Sequence, residues 1–233
     1  MAINFNPRQQ PGPGTAQVSD TRVVVLADAK YLVRGVVIDG SLSRDPLNTG
    51  DTDYLRAGML LGRITATKLY APSILGVTTA AYDADGSTNT TLSVSAATAT
   101  YLVSRVGSSG TFKLTGPPSS AGTVATQTIT YSAVNTTTGA ITISAGSADA
   151  ISGSFIQPTD GSETIKGLIG NGQPVRVTDA DDTDIDVELE KLVIGGQIDS
   201  SQIVNYPSDT SLITWVEDAL QECGLFVFDA KYI

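Results

Sequence analysis

Thr128-Ile-Thr-Tyr-Ser-Ala-Val134 and Ala140-Ile-Thr-Ile-Ser144 alternate apolar and small polar side chains on either side of Asn135-Thr-Thr-Thr-Gly139. A period of two is the signature of a strand with one buried face, and a five-residue loop closed by glycine joins two such strands into a hairpin. The hairpin lies inside a longer stretch of unusual composition. From Ser87 to Ala148 the only charged residues are Arg105 and Lys113, and about two-thirds of the side chains are Ser, Thr, Gly or Ala. Disordered segments rely on charge and low hydrophobicity to stay solvated, so a stretch this poor in charge reads as short strands of small residues. A second hairpin is expected to pair Tyr101-Leu-Val-Ser-Arg-Val106 with Thr111-Phe-Lys-Leu-Thr115 across Gly107-Ser-Ser-Gly110. Gly116-Pro117-Pro118 excludes a central strand at that point. The middle of the chain is therefore predicted to be a small sandwich-like or barrel-like all-β module.

Outward from this module the composition changes. On the N-terminal side, Arg22-Val-Val-Val-Leu26 and Leu32-Val-Arg-Gly-Val-Val-Ile38 are β-branched runs of strand length, and Asp39-Gly40 marks a turn. Ala57 to Tyr70 alternates as a half-buried strand, with Gly62 marking a bend or a close backbone approach. On the C-terminal side, Gln173-Pro-Val-Arg-Val-Thr178 reads as a strand, and seven acids fall between Asp179 and Glu190. Because Ile185, Val187 and Leu189 alternate with acids, that run reads as a strand with one wet face. Asp179-Ala-Asp-Asp-Thr-Asp184 has the density of a calcium loop but lacks the turn glycine and distal glutamate of an EF-hand. A helix is signalled by Ser208 or Asp209 as cap, by Leu212, Trp215, Val216, Ala219, Leu220 and Cys223 at helical spacing, and by Gly224 as a left-handed stop. Trp215 reads as its core anchor and Cys223 as a small buried hydrophobe. Leu225-Phe-Val-Phe228 closes the pattern as a strand.

The whole is a mainly β chain: a β-rich α+β body over 21–70 and 161–233 with one C-terminal helix, an inserted module over 71–160, and an arm over 1–20. The arm carries Pro7, Pro11, Pro13, Gly12 and Gly14 and no repeating apolar face, so it is expected to be flexible alone. Its Ile3 and Phe5 have nothing local to pack on.

At 233 residues and a net charge of −10, the chain has no cluster of Lys and Arg. That argues against nucleic-acid partners, which require a phosphate-neutralising surface. No run of eighteen apolar residues is present, and Met1 to Pro7 lacks the charged and apolar regions of a leader. The expectation is a chain made and kept in the cytoplasm, with no membrane partner. Histidine is absent and Cys223 is the single cysteine. These absences remove every Ser-His or Cys-His nucleophile pair, the commonest zinc ligand and any intrachain disulfide. No catalytic, cofactor-binding or metal-binding constellation is therefore expected.

Three segments together resemble the head decoration proteins of tailed bacteriophages, the lambda-type capsid-stabilising family. They are Gly40-Ser-Leu-Ser-Arg-Asp45 followed by Ala57-Gly58, Leu61-Gly62, Ile64-Thr-Ala-Thr-Lys68 and Tyr70; the Pro174-Val-Arg-Val177 strand, acidic run and Gly195-Gly-Gln-Ile198; and Ala219-Leu-Gln-Glu-Cys-Gly-Leu-Phe226. The resemblance covers Arg22 to Tyr70 and Gly161 onward. It implies a homotrimer on the outer surface of the expanded capsid, with the major capsid protein as partner and no catalysis. On this reading Ile3, Phe5, Pro7, Arg8 and Pro11 of the arm are the candidate capsid-binding residues, because an extended arm can add a strand to an exposed edge.

Two other functions compete. A host-surface glycan-binding display protein or tail-associated adhesin would use the middle module, whose aromatic residues are Tyr82, Tyr101, Phe112 and Tyr131. An enzyme would need a carboxylate pair, with Asp184 and Asp186 as the available acids.

Overall fold

The structure is a computed structural model that describes residues 22–48, 50–83, 90–120, 122–144, 149–171 and 175–228. It is mainly β with two α-helices. The first flank forms β1 (Val25–Leu32), β2 (Val37–Ile38), β3 (Tyr54–Leu55), β4 (Leu60–Arg63) and β5 (Tyr70–Pro72). The middle forms β6 (Gly76–Val77), β7 (Thr91–Ser93), α1 (Ala96–Arg105), β8 (Gly110–Gly116), β9 (Ala125–Asn135), β10 (Ala140–Ile143) and β11 (Phe155–Gln157). The second flank adds β12 (Ile165–Ile169), β13 (Val175–Arg176), β14 (Val187–Glu188), β15 (Leu192–Ile198), α2 (Thr210–Cys223) and β16 (Leu225–Phe228).

These strands sort into an eight-stranded sheet ordered β1-β15-β12-β4-β5-β2-β14, with β16 also on β15, a six-stranded sheet ordered β6-β11-β8-β9-β10-β7, and the pair β13-β3. Every strand of the larger sheet comes from the two flanks, and every strand of the smaller from the middle. The larger sheet curls. In its order β14 and β15 stand five places apart, roughly 24 Å in a flat sheet. Only residues 189–191 connect them, a reach of at most about 14 Å. The backbone N–H of Leu189 donates to the Val36 carbonyl at 2.8 Å, which ties this link across to the segment before β2.

Curling gives the body two cores. Leu61, Ile169 and Leu192 point into one with Ile38, Leu55 and Tyr70; their neighbours Leu60, Leu168 and Val193 point into the other beneath Leu212, Val216 and Leu220 of α2. Strands buried on both faces lose the alternation that marks a half-wet strand. Glycine makes the close packing possible at Gly62, where an added Cβ would lie 1.8 Å from the Ser162 carbonyl oxygen. The expected close approach at Gly62 is therefore present, while the chain reverses later, between Ile64 and Leu69, with Lys68 at φ +67°.

The smaller sheet has one core, built from Leu92, Phe112, Leu114, Ile129, Tyr131 and Ile141 under Tyr101 and Leu102 of α1. The hairpin expected at Asn135 to Gly139 forms, and Gly139 sits at φ +75°. Thr126, Thr128, Thr130 and Ser132 of β9 face outward and are exposed.

Several expectations are corrected. Tyr101 to Val106 is not a strand: Ser95 accepts the Thr98 N–H at 3.0 Å and starts α1, so the middle is not all-β. Ala96, Ala97 and Ala99 favour helix, and Thr98, Ala99, Tyr101, Leu102 and Arg105 bury one helical face. Of the two strands expected at Arg22–Leu26 and Leu32–Ile38, the second keeps only Val37–Ile38 as β2, while β1 runs from Val25 to Leu32 across the polar residues between them because β15 supplies its hydrogen bonds. In the acidic run only Val187–Glu188 is strand, and Ile185 is exposed. Asp209 caps α2 as expected, accepting from Ser211 and Leu212. Gly224, however, is extended at φ −175°, because the chain passes straight into β16 and a Cβ there would meet the Ile194 carbonyl oxygen at 1.6 Å.

The two sheets are joined through polar and apolar contacts. Arg105 at the end of α1 has a fully buried side chain that donates to the Leu42 carbonyl, to Asp160 Oδ2 at 2.8 Å and to Ser162 Oγ at 2.8 Å. The Tyr101 hydroxyl donates to the same Leu42 carbonyl at 2.9 Å. Burial pushes the Tyr101 phenol up to about 12, against the nearby Arg105 charge, which lowers it. Lys113 pairs with Glu163 at 2.8 Å, and Phe155 of β11 packs into the core under α2 with its ring 5.5 Å from Trp215.

Candidate association surface

Large apolar side chains left in water are informative when they gather in one place. Among the described residues nine are exposed, and seven of them lie on β1, its flanks and β16: Val23, Leu26, Tyr31, Leu32, Val33, Leu225 and Val227. β1 and β16 lie on opposite sides of β15. On β16 the side chains alternate, so Phe226 and Phe228 pack beneath α2 while Leu225 and Val227, 70% and 63% exposed, stand on the other face. Lys30 and Leu225 are both register partners of Gly195, so no side chain stands between these two positions, while Gln197 lies between Ala27 and Val227.

β1 is held as an irregular edge. Asn171 Oδ1 accepts the Val24 and Val25 N–H groups at 2.6 and 2.8 Å, and its Nδ2 donates back to the Val25 carbonyl. Three register shifts interrupt its pairing with β15, and Asp28 sits at φ +52°. Gly196, at φ +128°, lets the backbone of residues 27–29 approach closely. Bulges of this kind blunt an edge against strand addition. What the surface offers a partner is its apolar side chains, bordered by the exposed charges Asp28, Lys30, Arg34, Glu190 and Lys191, with the Lys191 ammonium over the Tyr31 ring at 5.4 Å.

The other two exposed apolar residues, Leu47 and Ile185, belong to a separate loop cluster. Arg44 ties it together, pairing with Asp53 at 3.0 Å and with Asp184, while the Gly40 N–H donates to Asp186 Oδ1 at 3.1 Å. Asp45 is fully buried and holds Arg56. The two acids considered for an enzyme thus fasten loops. Asp179 Oδ1 accepts the N–H groups of Asp181 and Thr183 at 2.9 Å, and among the described residues no group of three or more His, Cys, Asp or Glu side chains is placed to hold a metal ion.

The remaining sequence candidates separate as follows. Ile3, Phe5, Pro7, Arg8 and Pro11 lie outside the described residues. Tyr82, Tyr101, Phe112 and Tyr131 are all buried in the smaller sheet's core or against α1, so none of these rings is open for stacking on a sugar. Trp215 is half-buried; with Lys166, Asp218 and Cys223 it lines an open groove between α2 and β12 of about 430 Å³. Cys223 is partly buried, which pushes its thiol up to about 11. Among the described residues no helix is long and apolar enough to cross a membrane.

The β16 part of the surface had a signal in the sequence. Leu225-Phe-Val-Phe228 is apolar at four consecutive positions, so one of its faces needs cover that α2 does not supply. The β1 part had none, because its position depends on pairing with residues at least 160 positions away. No family model, no curated protein and no solved structure matches this chain.

Proposed function

We propose that the chain is a non-enzymatic virion structural protein, a capsid decoration or cement protein. It binds the outside of the expanded phage head as a homotrimer and stabilises contacts between major capsid subunits. The observation that supports this reading is the gathering of seven exposed apolar residues along β1, its flanks and β16, a region suited to protein association. The resemblance of the flanks to head decoration proteins supplies the identity of the partner. A protein that binds only the expanded shell stabilises that state by its binding free energy, and three arms on one trimer add avidity. The arm, through Ile3, Phe5, Pro7, Arg8 and Pro11, is the segment that engages the capsid, by adding a strand to an exposed edge. The protein is made in the host cytoplasm and resides on the outer surface of the virion.

Co-sedimentation with purified heads tests the proposal. Saturable binding to expanded heads and none to unexpanded ones is expected; no binding, or preference for the unexpanded shell, rejects it. Deletion of residues 1–19 should weaken binding while the oligomer stays folded, and unchanged binding would remove the arm from the account.

A further inference from the structure

Trp215 is the only tryptophan of the chain, and it stands half-buried on one side of α2. Asp218, Ala219 and Glu222 follow it at helical spacing, so the four side chains share one face. That face forms one wall of the open groove of about 430 Å³, and Ile165 and Lys166 of β12 belong to the other. Glu163, which also lines the groove, is committed to Lys113 at 2.8 Å. Asp218 and Glu222 are exposed and, among the described residues, have no hydrogen-bond or ion-pair partner. The α2 wall thus offers an indole and two uncommitted carboxylates, against the single ammonium of Lys166.

We infer that this groove receives residues 5–13 of the same chain's N-terminal arm, with Arg8 toward Asp218 and Glu222 and the prolines against Trp215. Charge, composition and reach select that occupant. In a protein of net charge −10, residues 1–19 contain no acid, and Arg8 is their one charged side chain. A guanidinium can pair with carboxylates and lie on an indole at once. Pro7, Pro11 and Pro13 supply the chemistry by which proline-rich segments dock in aromatic-lined grooves at low ordering cost. Leu168 and Ile169 of β12 pair with Val193 and Leu192, so the part of β12 that lines the groove lies toward the Ile198 end of β15, where Val25 of β1 pairs. Val24 packs into the core beneath α2, so the arm joins the body on the helix side of the sheet. β1 and β12 flank β15, two strand spacings or roughly 10 Å apart, whereas residues 14–21 can span roughly 26 Å. The contact goes beyond the assembly reading and needs no capsid; where both hold, the arm leaves the groove before it adds to a capsid edge.

Trp215 fluorescence tests it, with circular dichroism as the check on folding. Deleting residues 1–19 should shift the emission to longer wavelength and raise its quenching by acrylamide, and a peptide of residues 1–14 should reverse both changes saturably. Arg8→Glu in the peptide should weaken its binding about tenfold, through loss of the charge-assisted contact. In the full chain Asp218→Lys/Glu222→Lys should reproduce the effect of the deletion, and adding Arg8→Glu should restore the native emission. Emission unchanged by the deletion, a peptide that fails to bind, or one indifferent to Arg8→Glu would each overturn the inference. Emission that shifts on dilution would assign the groove to the arm of another copy and overturn the same-chain contact. Heads separate this claim from the proposed function. Asp218→Lys/Glu222→Lys frees the arm and should bind expanded heads more tightly, while a protein that ignores heads yet shows the emission changes loses the function and keeps the groove contact.

Discussion

β4, β12 and β15 of the larger sheet bury both faces, whereas β9 and β10 of the smaller sheet bury one. In the first group consecutive residues such as Leu60 and Leu61 serve two different cores. In β9 Ile129 is buried and Thr130 is exposed. The difference teaches where each region can be altered. On β9 of the smaller sheet Thr128, Thr130 and Ser132 form an exposed row, while the larger sheet has little tolerance except on β1 and β16, where the exposed apolar residues lie.

The largest expected effect is at the junction of the two. Arg105→Ala removes a buried guanidinium that serves the Leu42 carbonyl, Asp160 and Ser162, and should cost about 3–5 kcal/mol in chemical denaturation. A loss below about 1 kcal/mol would show that the sheets do not depend on this contact. Next, an alanine scan should read out the two sheet types directly. Leu60→Ala and Leu61→Ala should each cost about 2–5 kcal/mol. Ile129→Ala should cost the same, but Thr130→Ala should stay within about 0.5 kcal/mol. Equal costs at Ile129 and Thr130 would break the contrast.

Alkaline pH should act on the α1 contact more gently. Because the folded-state pKa of Tyr101 is raised to about 12 from 10.0, its contribution is complete below pH 10 and is lost as pH rises through 12. Tyr101 should add a fall of about 1.4 kcal/mol per pH unit across that window, and Tyr101→Phe should lessen the measured slope by that amount, leaving the part due to Tyr131, which burial also raises to about 12. The smallest perturbation is chemical. With its thiol raised to about 11 from 9.0, Cys223 should alkylate about 100-fold more slowly at pH 8 than in the unfolded chain. A rate equal to that of the unfolded chain would place Cys223 in an open environment.

The same contrast explains what could be read from sequence. The β9–β10 hairpin was legible because one-sided burial writes a period of two, and α2 was legible because Asp209 and its apolar stripe are local signals. Helix α1 was misread because Tyr101, Leu102, Val103 and Val106 suit a strand as well as a helix, and the deciding signal, Ser95 with its alanines, lies upstream. The polar centre of β1 and the exposure of Ile185 come from long-range pairing, which no local pattern carries. Of the candidate surface, only the doubly apolar Leu225–Phe228 segment was visible in advance.

The most direct test of the account is a reconstruction of decorated heads at a resolution that traces residues 1–21. The account predicts three copies on the outside of the expanded shell at three-fold or quasi-three-fold positions, with the arms lying on the major capsid protein. Density for this chain on the tail, inside the shell or nowhere on the head would contradict it.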